Sequence, residues 1–379
     1  MRIVHLADLH LGKRLGEVPL AEDQEHILRQ ILGVMRDEEA ECLIISGDIY
    51  DRGVPPQEAV TMFGSFLAEA RSVAGSIFII SGNHDSPERL GFGSEIFAMS
   101  QIHVAGVFSG SLEKVTLGDG SGPLNIWLLP YVKPVQVRQF YPDIKEGSFE
   151  DAVKTVIKAA DINREERNIL VAHQFVTSES WPQVCESETS YVGTVGNMDY
   201  RIFDDFDYVA LGHLHTPQYM GREQVRYPGS PLKYSFSETR SGKSVTVLDI
   251  KAKGDIDIKT VPLTPLRDMR EVRGYLKDVL GMEQSEDYMR VTLLDEDATD
   301  AADRIRTVFP NVLRIDFDNS YTRGSLDDTD AGIEGKGDME LFSEFYEKMR
   351  DAALTDEQAE IAGKAMIRAK EDTDETSLS

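Results

Sequence analysis

Cysteine is scarce in this chain, with two residues among 379. Cys42 lies in an apolar run and Cys185 in a polar stretch, so we expect two free thiols without a catalytic role and no disulfide framework. The sequence also lacks an uninterrupted apolar run of roughly 18 residues, the length of a membrane helix. Its first apolar stretch contains His5, Asp8 and His10, which a secretory signal would not. We therefore expect a cytoplasmic protein that does not span a membrane.

Positive charge is the second deficit. The chain has 40 lysine and arginine residues against 66 acidic residues, which gives a formal net charge of -26 at pH 7. Such a charge opposes binding to a polyanion, and no basic patch with interleaved aromatic residues is visible. A DNA substrate would therefore need basic surface from a partner protein. The apolar content of 41% is nevertheless sufficient for a sizeable core, so we expect a globular protein.

Five apolar runs each stop at a residue type that binds metal ions. They are rich in Ile, Val and Leu and are typical of buried strands, and they cover residues 2–7, 42–46, 77–81, 169–172 and 208–211. The polar residues that follow the runs are Asp8, His10, Asp48, Asp51, Asn83, His84, His173, His213 and His215. Strands buried on both faces belong to sheets covered by helices, and active sites lie beyond their carboxyl ends. We therefore expect these side chains to converge at one edge.

The expected cluster suits a centre with two metal ions. Residues two apart on a strand share a face, so Asp8 and His10 should point the same way, as should His213 and His215. Asp48 precedes a turn from which its carboxylate could bridge two cations. Mixed nitrogen and oxygen ligands favour Mn²⁺, Fe²⁺ or Zn²⁺ over Ca²⁺ or Mg²⁺. Two such ions clamp the attacking and leaving oxygens of a phosphoryl displacement, so we expect phosphoester hydrolysis.

Each motif alone has an ordinary structural explanation. Asp-x-His is a weak signal, and a single histidine on an apolar run, such as His173, is more often a core residue. The ordered combination of Gly-Asp-x-x-Asp, Gly-Asn-His-Asp and Gly-His-x-His is what makes the metal centre the preferred interpretation. His5, His26 and His103 lie outside this combination, and we expect them to be structural.

The order of these motifs resembles the calcineurin-like metallophosphoesterase superfamily. The resemblance implies an α/β fold in which two mixed β-sheets are sandwiched between helices. It also implies a ligand set for each of two divalent ions, with Asp48 bridging them. The first set is Asp8, His10, Asp48 and His215, and the second is Asp48, Asn83, His173 and His213.

The same resemblance implies roles for two further residues. His84 would approach the phosphate without binding metal, and would stabilise the transition state or protonate the leaving oxygen. Asp51 would orient His84. Because every expected ligand is present, nothing suggests a relative that has lost its catalytic function.

Longer segments resemble one branch of the superfamily, the SbcD-type subunits of bacterial DNA exonucleases. They are Met-Arg-Ile-Val-His-Leu-Ala-Asp-Leu-His-Leu-Gly, Gly-Asp-Ile-Tyr-Asp-Arg-Gly, and Gly-His-Leu-His-Thr-Pro-Gln followed by Tyr-Pro-Gly-Ser-Pro, and they reach to residue 240. This resemblance implies a Mn²⁺-dependent nuclease that cleaves double-stranded DNA ends and hairpins in DNA repair, recombination and replication. The implied partner is SbcC, an ATPase with a long coiled coil, in a heterotetramer that contains a homodimer.

The sequence predicts four parts along the chain. Residues 1–261 alternate strand and helix patterns and form the nuclease domain. Residues 262–317 predict a small α/β capping domain, and residues 318–338 have the composition of an acidic flexible linker. Residues 339–379 predict an amphipathic helical pair, which either folds back on its own core or docks to a partner. We favour docking, because the linker separates the pair from any core.

Two segments carry more specific expectations. In the capping domain we expect helices over 268–280 and 298–309 and strands over 288–294 and 312–317. In the nuclease domain, the helices after Pro56 and Pro87 carry apolar residues that either pack in the core, which we favour, or form a dimer face.

Two other functions stay open. A free-standing phosphodiesterase or phosphatase acting on nucleotides or phosphoproteins would use the same metal ligands but would need neither the capping domain nor the tail. A scaffold protein would use the phosphoesterase domain only to bind a partner, and the complete ligand set argues against it.

Overall fold

The computed structural model of the chain describes residues 1–144, 148–186, 188, 197–296 and 300–319, and eight positions between 342 and 362. The chain divides into two compact units. The first comprises Met1–Val272, Glu283–Val291 and Ile305–Arg314, and the second comprises Arg273–Met282, Thr292–Arg304 and Ile315–Ser379. In the part of the chain that is described, no helix has both the length and the apolar character needed to cross a bilayer.

The strands of the described residues are, in chain order, β1 (Arg2–Leu6), β2 (Arg14–Leu15), β3 (Val18–Pro19), β4 (Cys42–Ser46), β5 (Ser76–Ile80), β6 (Ile102–Ala105), β7 (Glu113–Asp119), β8 (Gly122–Leu129), β9 (Arg167–His173), β10 (Val176–Thr177), β11 (Met198–Asp199), β12 (Tyr208–Gly212), β13 (Gln218–Met220), β14 (Arg222–Tyr227), β15 (Ser244–Ile250), β16 (Ile256–Pro262), β17 (Met269–Gly274), β18 (Tyr288–Leu293) and β19 (Val312–Phe317). The α-helices are α1 (Ala21–Asp37), α2 (Gln57–Val73), α3 (Pro87–Leu90), α4 (Ser94–Ala98), α5 (Pro134–Arg138), α6 (Phe149–Ala159), α7 (Leu276–Leu280) and α8 (Ala301–Arg306). Two 3₁₀ helices cover Tyr200–Phe203 and Phe236–Glu238.

Two mixed six-stranded sheets form the first unit. One has the strand order β16-β15-β1-β4-β5-β6. Strands β1, β4, β5 and β6 run parallel to one another, β15 runs antiparallel to β1, and β16 runs antiparallel to β15. The other has the order β13-β14-β12-β9-β8-β7, with parallel strands in the middle and antiparallel strands at both edges. The five predicted apolar runs are β1, β4, β5, β9 and β12, all near the middle of a sheet.

The alternation of side chains along the strands builds three core layers. In β4, Cys42 and Ile44 face the second sheet, while Leu43 and Ile45 face helices α1 and α2. In β9, Ile169 and Val171 face the first sheet, and the alternate residues pack in a third layer with helix α6. The order helix, sheet, sheet, helix confirms the predicted sandwich.

The predicted helix over 268–280 is wrong in its first half. Met269–Gly274 is strand β17, and only Leu276–Leu280 is helical. The backbone of this segment pairs with the neighbouring strand, where the Tyr288 amide donates to the Asp268 carbonyl at 2.8 Å. Tertiary pairing therefore overrides local preference here. Strands β18 and β19 lie where they were expected, and helix α8 occupies part of the predicted 298–309 segment.

The helical segments after Pro56 and Pro87 differ in the burial of their apolar side chains. Phe63 and Phe66 of α2 are buried in the core, as expected. The segment after Pro87 forms two short helices instead of one, and Phe92, Ile96 and Met99 are 83%, 70% and 85% exposed. The favoured prediction of core packing is therefore wrong for Phe92 and Ile96.

The predicted linker from residue 320 onward, and nearly all of the predicted tail, lie outside the described residues. Within the tail, Thr355 and Gln358 are described. The Thr355 amide donates to Gln358 Oε1 at 3.0 Å, and the Gln358 amide donates to Thr355 Oγ1 at 3.3 Å. These reciprocal bonds are the capping box that the Thr-Asp-Glu-Gln sequence predicts.

Arg167 is a buried cation that ties the second sheet to a neighbouring turn. Its guanidinium donates to both carboxylate oxygens of Asp119, at 3.0 and 2.7 Å, and to the carbonyl of Lys251 at 2.9 Å. The hydrogen bond from Arg167 lowers the pKa of Asp119 to about 2. Because Asp119 is only half-buried, its carboxylate would stay partly hydrated without Arg167, and the cost of removing Arg167 is mainly that of the lost charge-assisted hydrogen bonds.

We therefore expect Arg167→Ala to lower the free energy of unfolding by about 1.5 to 3 kcal/mol near neutral pH, as measured by urea denaturation. Because the folded pKa of Asp119 lies below its ordinary value of 3.8, the stabilisation is present above that value and is lost as the pH falls through 2. The difference between wild type and variant should shrink accordingly in acid. Arg201→Ala, which removes an exposed pair with Asp199, is the control and should change little. An equal effect of both variants would contradict this assignment.

Candidate metal centre

Loops at the carboxyl ends of strands from both sheets meet at one edge. The loops after β1 and β4 are joined by their backbones: the Asp8 amide donates to the Gly47 carbonyl at 3.1 Å, and the His10 amide donates to the Asp48 carbonyl at 3.0 Å. The loop after β12 joins them, because the His213 amide donates to the Asp8 carboxylate at 2.9 Å. The predicted convergence therefore involves both sheets.

The ligand-type residues occupy unusual backbone conformations. Asp8, His10, Asp48 and His213 have φ values of 55°, 43°, 50° and 110°, and they are four of the seven non-glycine residues with positive φ in the described residues. Side chains with a Cβ disfavour this region, and strain of this kind concentrates at functional sites. Tertiary contacts at this edge must therefore hold the four residues in place.

The expectation that these residues pair on strand faces is wrong. Asp8 and His10 lie beyond the end of β1, and their left-handed turns, not strand alternation, bring both into one cluster. His213 and His215 lie beyond β12 and diverge: His213 faces Asn83, and His215 faces His10.

The side chains form two adjoining clusters. In the first, ligand atoms of Asp8, His10 and His215 lie within 4.8 Å of one another, and the Nε2 atoms of His10 and His215 are 3.1 Å apart. In the second, Asp8, Asp48 and His173 are grouped in the same way. Asp48 Oδ2 lies 3.7 Å from His10 Nε2 and 3.4 Å from His173 Nε2, so its carboxylate faces both clusters.

Asn83 and His213 complete the second cluster. Asn83 Oδ1 lies 3.0 Å from His173 Nε2 and 2.9 Å from His213 Nδ1. The structure thus brings together all seven predicted ligands, which are Asp8, His10, Asp48, Asn83, His173, His213 and His215. Apart from half-buried Asn83, all of them are buried.

The orientation of the histidine rings fits metal binding. His173 directs Nδ1 to the Ser46 carbonyl at 2.8 Å and Nε2 into the cluster. His215 directs Nδ1 to Glu238 Oε1 at 3.5 Å and Nε2 into the cluster. Outward hydrogen bonds of this kind fix the ring and leave the inner nitrogen to bind a cation. Together with two buried carboxylates, the donors fit divalent transition ions.

Burial shapes the protonation of the cluster. Burial lowers the pKa of His10 well below its usual range and that of His213 to about 3, so both rings are neutral, the form that binds metal. Burial also raises the pKa of Asp8 to about 7. Although burial opposes charge on His173, the nearby carboxylate of Asp48 raises the pKa of this histidine to about 9. A bound cation would replace that proton and would favour the ionised form of Asp8.

Two glycines allow the loops to close around the cluster. A Cβ at Gly82 would overlap the carboxylate of Asp48, and a Cβ at Gly212 would overlap the Ser46 carbonyl. Each of these glycines directly precedes a ligand-type residue. The glycines in the Gly-Asn-His-Asp and Gly-His-x-His motifs are therefore needed for close backbone approach.

His84 and Asp51 lie beside the first cluster. The His84 ring is half-buried, and its centroid is 4.9 Å from that of His10. His84 Nδ1 lies 3.1 Å from the backbone carbonyl of Asp51, so the contact involves the main chain of Asp51. The Asp51 carboxylate instead forms an ion pair with Lys13 at 2.8 Å.

Asp85 has a role that the sequence did not indicate. Its buried carboxylate accepts the amides of Ile49 at 3.1 Å, Tyr50 at 2.9 Å and Gly82 at 2.9 Å. It therefore fastens the loop after β4 to the loop after β5. Its position next to His84 in the Gly-Asn-His-Asp motif was the available signal.

Two glutamates contact His215 from the side away from the cluster, and they were not identified from the sequence. Glu188 accepts the His215 amide, and Glu238 faces the His215 ring and accepts the Lys243 ammonium at 2.6 Å. Both carboxylates are buried, and Lys243 also donates to the His215 carbonyl at 2.8 Å. No local motif marks these residues, because they come from separate segments of the chain and neither lies in a metal-binding motif.

The three histidines expected to be structural lie away from this cluster. His5 is buried between Tyr208 and Ser46, with 3.0 Å contacts to both. The His103 ring stacks on Phe78, and His26 lies at the surface beside Gln30. Cys42 and Cys185 are buried thiols that form no disulfide with each other.

Comparison with known proteins gives matches over most of the chain. The family model of the calcineurin-like phosphoesterases matches residues 1–217, and the model described as Type 5 capsule protein repressor C-terminal domain matches residues 265–350. The chain is 30% identical over 371 residues to the SbcD subunit of the SbcCD nuclease of Staphylococcus epidermidis, a match that covers 95% of this chain and 96% of that protein.

Two solved structures show a looser similarity. GAP50, the anchor in the inner membrane complex of Plasmodium, has 11% identity and a TM-score of 0.42, covering 85% of this chain and 98% of its own. A dimetal phosphatase from Danio rerio has 11% identity and a TM-score of 0.41, covering 70% of this chain and 98% of its own. Similarity at this level does not bear on the assignment.

The first family model covers more than half of the chain, and the Staphylococcus epidermidis protein matches nearly all of it. Both matches agree with the metal-ligand geometry and with a metal-dependent hydrolase that acts on phosphodiester bonds. The chain belongs to the calcineurin-like phosphoesterases and, among them, to the SbcD family of nuclease subunits.

Proposed function

We propose that this chain is the cytoplasmic nuclease subunit of an SbcC–SbcD type complex that cleaves double-stranded DNA ends and hairpins. The observation that carries the proposal is the convergence of seven buried or half-buried metal-type ligands beside His84. In the proposed complex, hydrolysis depends on two Mn²⁺ ions and is coupled to a coiled-coil ATPase. The proposed roles are DNA repair, recombination and replication.

The two clusters suggest which residues would hold each ion. One ion would take Asp8, His10, Asp48 and His215, and the other would take Asp48, Asn83, His173 and His213. The ions would supply a hydroxide at neutral pH and would neutralise charge on the scissile phosphate. Asp48 would be shared, since its carboxylate faces both clusters.

His84 is the proposed catalytic residue for the phosphate. Its amide donates to Asp48 Oδ1 at 2.9 Å, and its Nδ1 contacts the Asp51 carbonyl. These two contacts position the ring beside the shared carboxylate and leave Nε2 for the substrate. His84 would then stabilise charge on the phosphate or protonate the leaving oxygen. Asp51 would orient His84 through its main chain.

The acidic charge of the chain supports the need for a partner. A net charge of -26 repels DNA, so the ATPase would supply much of the surface that contacts the phosphates. We propose that the helical tail beyond residue 338 docks to this partner. The capping box at Thr355 supports a helix start in the tail.

A homodimer is the second assembly that we propose. The exposed Phe92, Ile96 and Met99 form an apolar face on the short helices after β5. Apolar side chains in this number on neighbouring turns are typical of an interface, and a second copy of the chain can cover them symmetrically. This face would join two nuclease subunits in a heterotetramer with two ATPase subunits.

Hairpin cleavage tests the proposed function. With Mn²⁺, the wild-type chain should open an end-labelled DNA hairpin, and His84→Gln should reduce the rate by about 10²- to 10⁴-fold because a group acting on the leaving oxygen is lost. Metal binding, measured by calorimetry, should be retained. The candidate ATPase and ATP should increase the wild-type rate.

Two results would argue against this function. Equal cleavage by wild type and His84→Gln would remove His84 from the chemistry. Absence of DNA cleavage under every condition, together with turnover of a small phosphodiester, would favour a free-standing phosphodiesterase.

The next prediction concerns the carboxylate behind His215. Glu238→Gln keeps the shape of the side chain but weakens its hold on the His215 ring, so Mn²⁺ affinity should fall by about 10- to 100-fold. Titration calorimetry should show weaker binding of one of the two Mn²⁺ ions and unchanged binding of the other. Glu165→Gln, at an exposed position, is the matched control and should bind Mn²⁺ like wild type. Unchanged affinity in Glu238→Gln would remove Glu238 from metal positioning.

A further prediction concerns the dimer face. Phe92→Asp combined with Ile96→Glu should convert the dimer to a monomer in sedimentation velocity, since buried charge opposes association. Val135→Asp, at an exposed apolar position on α5, should leave the mass unchanged. If the double variant stays dimeric, another surface joins the subunits.

A further inference from the structure

Trp181 lies at the surface close to the metal centre. It belongs to the segment after β10, and 59% of it is exposed to solvent. The residues immediately before it, Glu179 and Ser180, are also exposed. A single exposed apolar residue is common in proteins, so exposure alone indicates no function. The position of this indole relative to the ligands is what distinguishes it.

One aromatic ring separates the indole from the metal centre. The buried ring of Phe175 lies 6.2 Å from the Trp181 ring, and it meets the His213 ring edge-on at the same distance. Two steps of 6.2 Å put the indole within about 12 Å of the His213 imidazole. At about 3.4 Å per nucleotide along a strand, this limit corresponds to at most about four nucleotides.

The backbone around Trp181 is held on its C-terminal side. Pro182 is buried, and a proline restricts the residue before it to extended conformations. The Gln183 amide donates to Gln218 Oε1 at 2.9 Å, and Gln218 Nε2 donates back to the Gln183 carbonyl at 2.8 Å. With Phe175 packed against it, the indole is therefore positioned before any ligand arrives. Such preorganisation reduces the entropic cost of binding.

Stacking is the form of DNA contact that suits this chain. A net charge of -26 disfavours binding through phosphates, whereas the face of an indole binds bases without needing positive charge. Aromatic stacking also accepts every base, as a nuclease that cleaves ends of any sequence requires.

We propose that Trp181 is a stacking platform for an unpaired base of the DNA strand, within about four nucleotides of the phosphate held at the metal centre. The inference rests on the proposed DNA nuclease function and identifies the feature of the substrate that this site recognises. Hairpin loops and frayed ends present unpaired bases, while a continuous duplex does not. Trp181 thus favours the substrates in which a base is free to leave the helix.

Fluorescence can observe this contact directly. The chain has two tryptophans, and the other, Trp127, is 4% exposed with the Lys114 ammonium above its ring. In the His84→Gln background with Mn²⁺, where cleavage is slow and the metal ions are retained, a DNA hairpin with an unpaired loop should quench the emission of the full chain and protect it from acrylamide. Trp127→Phe should keep this response, and Trp181→Phe should lose it. Quenching that persists in Trp181→Phe would overturn the proposal.

Kinetics test the consequence for the substrate. Trp181→Ala should raise KM for hairpin opening by about 5- to 100-fold, the equivalent of one lost base stack, and Trp181→Phe should restore part of the loss. The kcat and the rate of hydrolysis of a small phosphodiester should not change, because the Phe175 ring separates Trp181 from the metal-ligand residue His213. Tyr275→Ala, at a similarly exposed aromatic position, is the control.

The outcomes separate this inference from the proposed function. If wild type cleaves DNA and Trp181→Ala does so with the same KM, the stacking proposal alone fails. If wild type cleaves a small phosphodiester but no DNA, the nuclease function fails and the stacking proposal fails with it. Protection of Trp181 by the ATPase but not by DNA would assign the indole to a protein interface and would overturn the proposal.

Discussion

Two buried carboxylates facing buried imidazoles are the interaction on which this architecture depends. Asp8 and Asp48 lie on the loops after β1 and β4 of the first sheet, and His173, the last residue of β9 in the second sheet, places its protonated imidazole beside them. Buried carboxylates without cations are unfavourable, so the two sheets must meet with their strand ends in register. Three features hold the loops of the two sheets in this arrangement. They are the backbone hydrogen bonds between the loops, the Asp85 carboxylate that joins two of them, and the glycines before the ligands.

The sequence predicted the components of the sandwich because its signals are local. Runs of Ile, Val and Leu identified the central strands, and the residues after them identified the candidate ligands. The division of His213 and His215 between two clusters came only from family resemblance, since strand alternation predicted the opposite. Left-handed turns at Asp8 and His213 depend on distant contacts that spacing does not reveal.

Other features could not be predicted, for physical reasons. Strand β17 forms because its neighbour offers hydrogen bonds, which a pattern of apolar residues does not report. Glu238 reaches His215 from the short 3₁₀ helix Phe236–Glu238, which carries no recognisable motif. Phe92 and Ile96 look like core residues in sequence, and only the folded arrangement shows that they remain exposed.

The positive φ values of the ligands have a consequence for how this centre evolves and how variants are interpreted. Replacing Asp48 with glycine, which tolerates a left-handed backbone, relieves strain while it removes the shared carboxylate. Such a protein can fold as well as the original, or better, and yet be inert. Good yield and a high melting temperature are therefore no evidence that the centre is intact, and natural selection on stability alone would tend to erode it.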